Sequence, residues 1–130
     1  MVYPKPILLI DDDENSVILM KTILENEGYS VDYALDGHKG LNKVTPGKYA
    51  AVIIDYLMPY LRGDEFAERI RLIDGEVGLI LLTGFKAAIP PETLGKFNSA
   101  LEKPVDPAKI INALRALVNG VHSKTQVAVP

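Results

Sequence analysis

Ala50-Ala51-Val52-Ile53-Ile54-Asp55-Tyr56-Leu57-Met58-Pro59 is the stretch whose reading decides the fold. Five apolar residues, Ala50 to Ile54, run without a polar break and end in one carboxylate. A strand covered by helices on both faces has this texture, because neither side of it meets water. The charge comes where the strand must leave the core. Pro59 and Gly63 break the chain soon after. Asp55 is therefore predicted at the carboxyl end of a buried strand, on a loop. In open α/β sheets that edge is where ligands bind.

Upstream, Ile7-Leu8-Leu9-Ile10 is a second apolar run, stopped by Asp11-Asp12-Asp13. Glu14 to Glu27 reads as a helix with Val17, Met20, Ile23 and Leu24 on one face. Asp13 can cap it and Gly28 can end it. Tyr29 to Leu35 reads as a strand nearer the sheet edge. Asp36-Gly37 turns the chain into a modest helix with Leu41 and Val44, stopped by Pro46-Gly47.

Downstream, Asp64 to Asp74 reads as a helix with Phe66, Ile70 and Ile73 on one face and Glu65 placed to meet Arg69. Val77 to Leu82 is another continuous apolar strand, ending at Thr83-Gly84. Pro90-Pro91 prevents a helix running straight through, so a helix there is short and starts near Pro91. Ser99 to Glu102 makes a weak fifth strand, ending at Lys103-Pro104. The clearest helix comes last. Asp106 is its N-cap, Pro107 lies in its first turn, Gly120 stops it, and Ile110, Ile111, Leu114, Leu117 and Val118 form its buried stripe.

Strand and helix thus alternate about five times. That pattern makes an α/β fold: a five-stranded, doubly wound parallel sheet with right-handed crossovers and helices on both faces. A chain of 130 residues has room for one such domain. It is expected over residues 1–120, with 121–130, which lack periodicity, as a disordered tail.

Composition narrows the chemistry. A hydrophobic share of 48% supplies a core, and 24% charged residues do not suggest disorder. A net charge of −3 is too mild for a nucleic-acid surface. Without Cys there are no disulfides, thiolate nucleophiles or thiolate metal sites. His38 and His122 are too far apart in sequence for a histidine metal site. The run after Pro6 is too short for a secretory signal or a membrane span. A soluble, cytoplasmic protein with no direct nucleic-acid or membrane partner is expected.

The residues at the strands' carboxyl ends are Asp11 and Asp12, Asp55, Thr83 and Gly84, and Lys103. Each alone has a bland reading, as a cap, a strand residue or a strand exit. Together on one sheet edge they make three carboxylates, a hydroxyl and an ammonium. Two carboxylates about 4 Å apart repel by roughly 4 kcal/mol at an effective dielectric near 20. Either one is protonated or a cation sits among them. All-oxygen ligands select a hard ion, and Mg2+ is the usual one where phosphate oxygens are also met. Lys103 and Thr83 suit a phosphoryl group, as point charge and hydrogen-bond donor, and Gly84 has no side chain to block its approach. The site reads as built to hold a phosphoryl group between Mg2+ and Lys103, with a carboxylate as nucleophile.

These motifs resemble the receiver domains of two-component response regulators over residues 7 to about 119. The resemblance rests on Ile7 to Asp13, on Asp55-Tyr56-Leu57-Met58-Pro59 with Gly63, on Leu81-Leu82-Thr83-Gly84, and on Leu101-Glu102-Lys103-Pro104. It implies a flavodoxin-like sheet of strand order 2-1-3-4-5. It implies Asp55 as phosphoacceptor. Asp12, Asp55 and the main-chain carbonyl of Leu57 would ligate Mg2+ directly, and Asp11 through water. Thr83, Lys103 and the Gly84 main chain would hold phosphoryl oxygens. The phosphoryl donor would be a sensor histidine kinase or a histidine phosphotransfer protein. The domain would catalyse its own phosphorylation and slow dephosphorylation and switch the binding of a downstream protein. The sequence permits a homodimer through the fourth and fifth helical faces without requiring one. Asp13 matches no active-site position. Ala100 stands where many receivers carry an aromatic switch residue. Phe85 and Leu57 put apolar groups near the pocket.

Two alternatives give the same residues other roles. Asp11-x-Asp13 mimics the nucleophile motif of haloacid-dehalogenase-like phosphohydrolases, with Asp11 as nucleophile; Asp55 would then have no role. A degenerate receiver acting only as a protein-binding module is kept open by Ala100. A flavodoxin is disfavoured, because acids after the first strand would repel a flavin phosphate.

Overall fold

The computed structural model describes residues 5–56 and 63–118. Five strands, β1 (Ile7–Ile10), β2 (Val31–Ala34), β3 (Ala51–Asp55), β4 (Gly78–Thr83) and β5 (Ser99–Glu102), pair in parallel in the order 2-1-3-4-5. Between and after them come α1 (Glu14–Asn26), α2 (Gly37–Lys43), α3 (Gly63–Ile73), α4 (Pro91–Leu94) and α5 (Pro107–Val118). A single 3-10 turn covers Lys86–Ala88.

The three central strands are buried at every position, and the edge strands β2 and β5 only in part. That follows from their sequences: Ile7–Ile10, Ala51–Ile54 and Leu79–Leu82 have no polar side chain to offer water. Side chains of a strand alternate between its faces. Leu8, Ile10, Val52, Ile54, Leu79 and Leu81 meet Phe66, Ala67 and Ile70 of α3, together with Ile89 and Phe97. On the other face Ile7, Leu9, Ile53, Ile80 and Leu82 meet Val17 and Leu24 of α1 and Ile110 and Leu114 of α5. Each such aliphatic side chain, fully buried, contributes about 1.5–3 kcal/mol, so the sheet is held from both sides.

Local signals set the ends of the helices. The Asp13 carboxylate accepts from the Asn15 amide at 3.1 Å and the Ser16 hydroxyl at 2.8 Å, which caps α1. Gly28 follows α1 at φ 98°, the left-handed conformation that stops a helix at least cost in glycine. Asp106 caps α5 through the Ala108 amide at 2.9 Å. The Pro90-Pro91 pair confines α4 to one turn. Helix α2 approaches β1 closely: a Cβ on Gly40 would lie 2.3 Å from Ile10 Cδ1.

The strand and helix bounds read from the sequence agree with these elements to within about two residues, with Thr83 inside β4 rather than after it. One expected contact is not made. Among the described residues Glu65 does not pair with Arg69; Glu68 meets Lys96 instead. Arg71 of the same helix donates to the carbonyls of Gly75 and Val77 and to Asn98 Oδ1. The expectations for Leu57, for the stop at Gly120 and for a tail over 121–130 lie outside the described residues.

Candidate functional site

Parallel strands end on the same edge, so register decides which terminal residues face one another. Ile10 lies opposite Ile54, which brings the next residues, Asp11 and Asp55, level. Asp55 is opposite Leu82, and Thr83 opposite Glu102, the residue before Lys103. The backbone continues the ladder past the strands: Asp11 N donates to Ala34 O at 3.2 Å, Tyr56 N to Leu82 O at 2.8 Å, and Lys103 N to Thr83 O at 2.7 Å. Loops that start from so fixed an edge can hold charges near one another.

Three carboxylates meet there. Asp11, Asp12 and Asp55 each offer an oxygen, and these oxygens lie within 4.8 Å of one another. Asp55 is buried, Asp11 half-buried and Asp12 exposed. Lys103 Nζ is 2.8 Å from Asp55 Oδ2. One ammonium thus answers part of the negative charge. Burial pushes the Asp11 carboxyl up to about 6. The Asp13 amide, which donates to Asp11 Oδ1 at 2.9 Å, opposes that shift, and the charge of Asp55 adds to it. The donor set, all oxygen with one solvent-exposed carboxylate, fits a hard divalent cation that keeps some of its water.

Thr83 is buried, and its Oγ1 accepts from the Phe85 amide at 3.1 Å. A Cβ built on Gly84 meets nothing within 4 Å, so the space above it is open. Asp13 is turned away to cap α1, and the Ser16 hydroxyl holds its carboxyl below the usual range. That removes the second acid of the phosphohydrolase motif from the site. Of the residues named from sequence, the structure brings Asp11, Asp12, Asp55 and Lys103 together. It sets Thr83 and Gly84 at the end of β4, next to Asp55's own strand, and Leu57 lies outside the described residues.

Residues 7–115 match the response regulator receiver domain family.

The chain belongs to that family.

Among solved structures, a CheY-like receiver domain protein from Methanospirillum hungatei is 25% identical over 92% of this chain and 98% of its own, with a TM-score of 0.82. The response regulator TrrA from Thermotoga maritima, in complex with Mg(2+)-BeF, is 30% identical over 87% of this chain and 98% of its own, with a TM-score of 0.78. Among curated proteins, the transcriptional regulatory protein YkoG of Bacillus subtilis is 32% identical over 92% of this chain and 54% of its own. The chain spans about half the length of such relatives. It is a receiver domain of the kind that serves as phosphoacceptor in two-component systems, where receivers pair with histidine kinases. No helix among the described residues is long and apolar enough to cross a membrane.

One residue next to this receiver's site was not singled out from the sequence. Glu102 Oε2 accepts from the Lys86 amide at 3.1 Å. The sequence carries no sign of it, since Glu102 is only the last residue of a weak strand until β4 and β5 are set in register.

Proposed function

We propose that Asp55 is the phosphoacceptor and that a sensor histidine kinase or histidine phosphotransfer protein is its donor. The observation that carries this reading is the buried Asp55 carboxylate, in the Asp11–Asp12–Asp55 cluster and 2.8 Å from the Lys103 ammonium. An Asp55 oxygen attacks phosphorus as the phosphorus–nitrogen bond of the phosphohistidine breaks. The imidazole leaves with the electron pair of that bond and takes a proton from solvent. Charge grows on the phosphoryl oxygens as they pass between donor and acceptor, and fixed positive groups lower the barrier.

Asp11, Asp12, Asp55 and the Leu57 carbonyl would hold Mg2+, which when bound supplies positive charge to those oxygens. Lys103 exchanges its bond with Asp55 for one with the phosphoryl group, and the Thr83 hydroxyl donates to another of its oxygens. The Gly84 main chain borders the open space the group enters. A downstream protein reads the phosphorylated state. Residues 1–120 form the receiver domain and 121–130 its tail, and the protein works in the cytoplasm.

A cavity of about 500 Å3, lined by Leu19, Met20 and Ile23 of α1 and by Val105 and Pro107, opens beside Asp11 and Lys103. Its apolar wall suits contact with the protein that carries the phosphohistidine.

Incubation with acetyl phosphate and Mg2+ tests the chemistry. The chain is expected to gain the mass of one phosphoryl group, lost in Asp55→Asn and kept in Asp11→Asn at reduced rate. A phosphoryl group mapped to Asp11 would favour the phosphohydrolase-like reading. No gain at all would favour a binding module.

A further inference from the structure

The Asp11, Asp12 and Asp55 carboxylates offer oxygens within 4.8 Å of one another. Like charges so close repel, and a side chain with little to hold it swings away. Asp55 is buried and tied to the Lys103 ammonium. Asp11 is only half-buried, and Lys103 sits on Asp55 Oδ2 instead. Among the described residues one hydrogen bond holds the Asp11 carboxylate: the Asp13 amide donates to its Oδ1 at 2.9 Å. An amide aims at a carboxylate only if the backbone behind it is fixed. Asp13 is the N-cap of α1, at φ −94° and ψ 106°, and its own carboxylate is held at both oxygens. Oδ1 accepts from the Asn15 amide at 3.1 Å, and Oδ2 accepts from the Ser16 hydroxyl at 2.8 Å. The next residue, Val17, is buried in the core, and its amide donates to Asp13 O at 3.1 Å. A chain of contacts thus runs from the core through Ser16 and Asp13 to Asp11. The Ser16 bond is its one link between two side chains, so it can be cut without removing the backbone bonds of the cap.

We propose that Ser16 is a positioning residue for the cation site: its hydroxyl fixes the Asp13 carboxylate, which aims the Asp13 amide at Asp11 and keeps the Asp11 carboxylate beside Asp12 and Asp55 against their repulsion. The inference rests on the reading of that cluster as the Mg2+ site. Its cause is preorganisation. Three acids gathered before an ion arrives leave less ordering for binding to offset. Asp13 acts here through its amide and not as a ligand, since its carboxylate is engaged by α1 and stands outside the cluster. Ser16 touches neither the ion nor the phosphoryl group and acts only through Asp13 and Asp11. The role falls to Ser16 because the first turn of α1 places its hydroxyl, three residues on, within reach of the cap.

The test is a titration of the full, unphosphorylated chain with Mg2+ alone, followed by NMR. Affinity is read from the amide shifts, and exchange of the Asp13 amide with solvent is read before any ion is added. In the wild type the Asp13 amide is protected. Ser16→Ala is expected to lose that protection and to bind Mg2+ about threefold to tenfold more weakly, the range set by one net hydrogen bond. Ser16→Thr, which keeps the hydroxyl, is expected to restore both. In a chain that already carries Asp11→Ala, adding Ser16→Ala is expected to weaken Mg2+ binding no further, because the group it positions is gone. A merely structural role for Ser16 would lower the urea midpoint without an effect on affinity that depends on Asp11. Unchanged Mg2+ affinity in Ser16→Ala overturns the positioning role and leaves the cation site standing. So does a Ser16→Ala chain whose Asp13 amide stays protected, or an effect of equal size with and without Asp11. A wild type in which Mg2+ shifts no amide at the Asp11, Asp12 and Asp55 edge overturns both together.

Discussion

Lys103 Nζ stands 2.8 Å from Asp55 Oδ2, an ion pair with one partner buried and the other more than a third exposed. The pair does two things at once. It offsets the burial of a carboxylate among two others, and it keeps an ammonium where a phosphoryl group would arrive. Lys103→Met separates these effects. Stability in urea is expected to fall by about 1 kcal/mol, less than a fully buried pair would lose because water screens the Lys103 side. Phosphoryl gain from acetyl phosphate is expected to slow on the order of 100-fold. Unchanged phosphorylation kinetics would remove Lys103 from the chemistry.

The Asp11 carboxyl titrates at about 6 in the fold, above its ordinary 3.8, chiefly through burial. The fold therefore favours its protonated form. The stability this group contributes is full below about 3.8 and is lost as pH rises through about 6. In the absence of divalent cations, stability between pH 4 and 7 is expected to decline more in the wild type than in Asp11→Asn, by on the order of 1 kcal/mol once screening by the water that reaches this half-buried group is discounted. Urea titrations at several pH values measure it. Parallel curves for the two chains would show that Asp11 is not the group responsible.

The same carboxyl should control the cation. A divalent ion binds the deprotonated form, so Mg2+ affinity is expected to weaken as pH falls through about 6 and binding to release protons. Calorimetry in buffers of different ionisation enthalpy counts those protons. Asp12→Asn is expected to lower Mg2+ affinity by removing one carboxylate of the cluster. Binding that is equally tight at pH 5 and 7.5 would place the ion elsewhere.

Asp13, the third acid of the Asp11-Asp12-Asp13 run, caps α1 and does not join the cluster. Asp13→Ala is expected to lower the urea midpoint through loss of the α1 N-cap, while phosphorylation of Asp55 persists. Loss of phosphorylation in a chain that still melts cooperatively would return Asp13 to the active site.

Gly40 touches the strand that presents Asp11. Its missing Cβ would sit 2.3 Å from Ile10 Cδ1, a fully buried side chain. Gly40→Ala is expected to destabilise by about 1–3 kcal/mol through overpacking, read as a lower urea midpoint. An unchanged midpoint would mean that Ile10 can turn aside at no cost.

Sequence alone determined the sheet and the inventory of its edge. Apolar runs too short for helices read as strands covered on both faces; Asp11, Asp12, Asp55 and Thr83 stand where such runs stop, and Lys103 ends a weaker strand. Local chemistry also told Asp13 and Asp106 apart as caps, because a cap acts on amides two or three residues away. Tertiary structure decided what these residues do to one another. The Lys103–Asp55 pair, the rise of the Asp11 carboxyl and the Glu102 bond to Lys86 join residues far apart in the chain. Their strength depends on strand register and on how much water is excluded. Periodicity carries neither quantity: it says which face a side chain lies on, but not what stands opposite it. The Glu65–Arg69 expectation failed for the same reason, since helical spacing put them within reach and Glu68 of the same helix met Lys96, from outside it, instead.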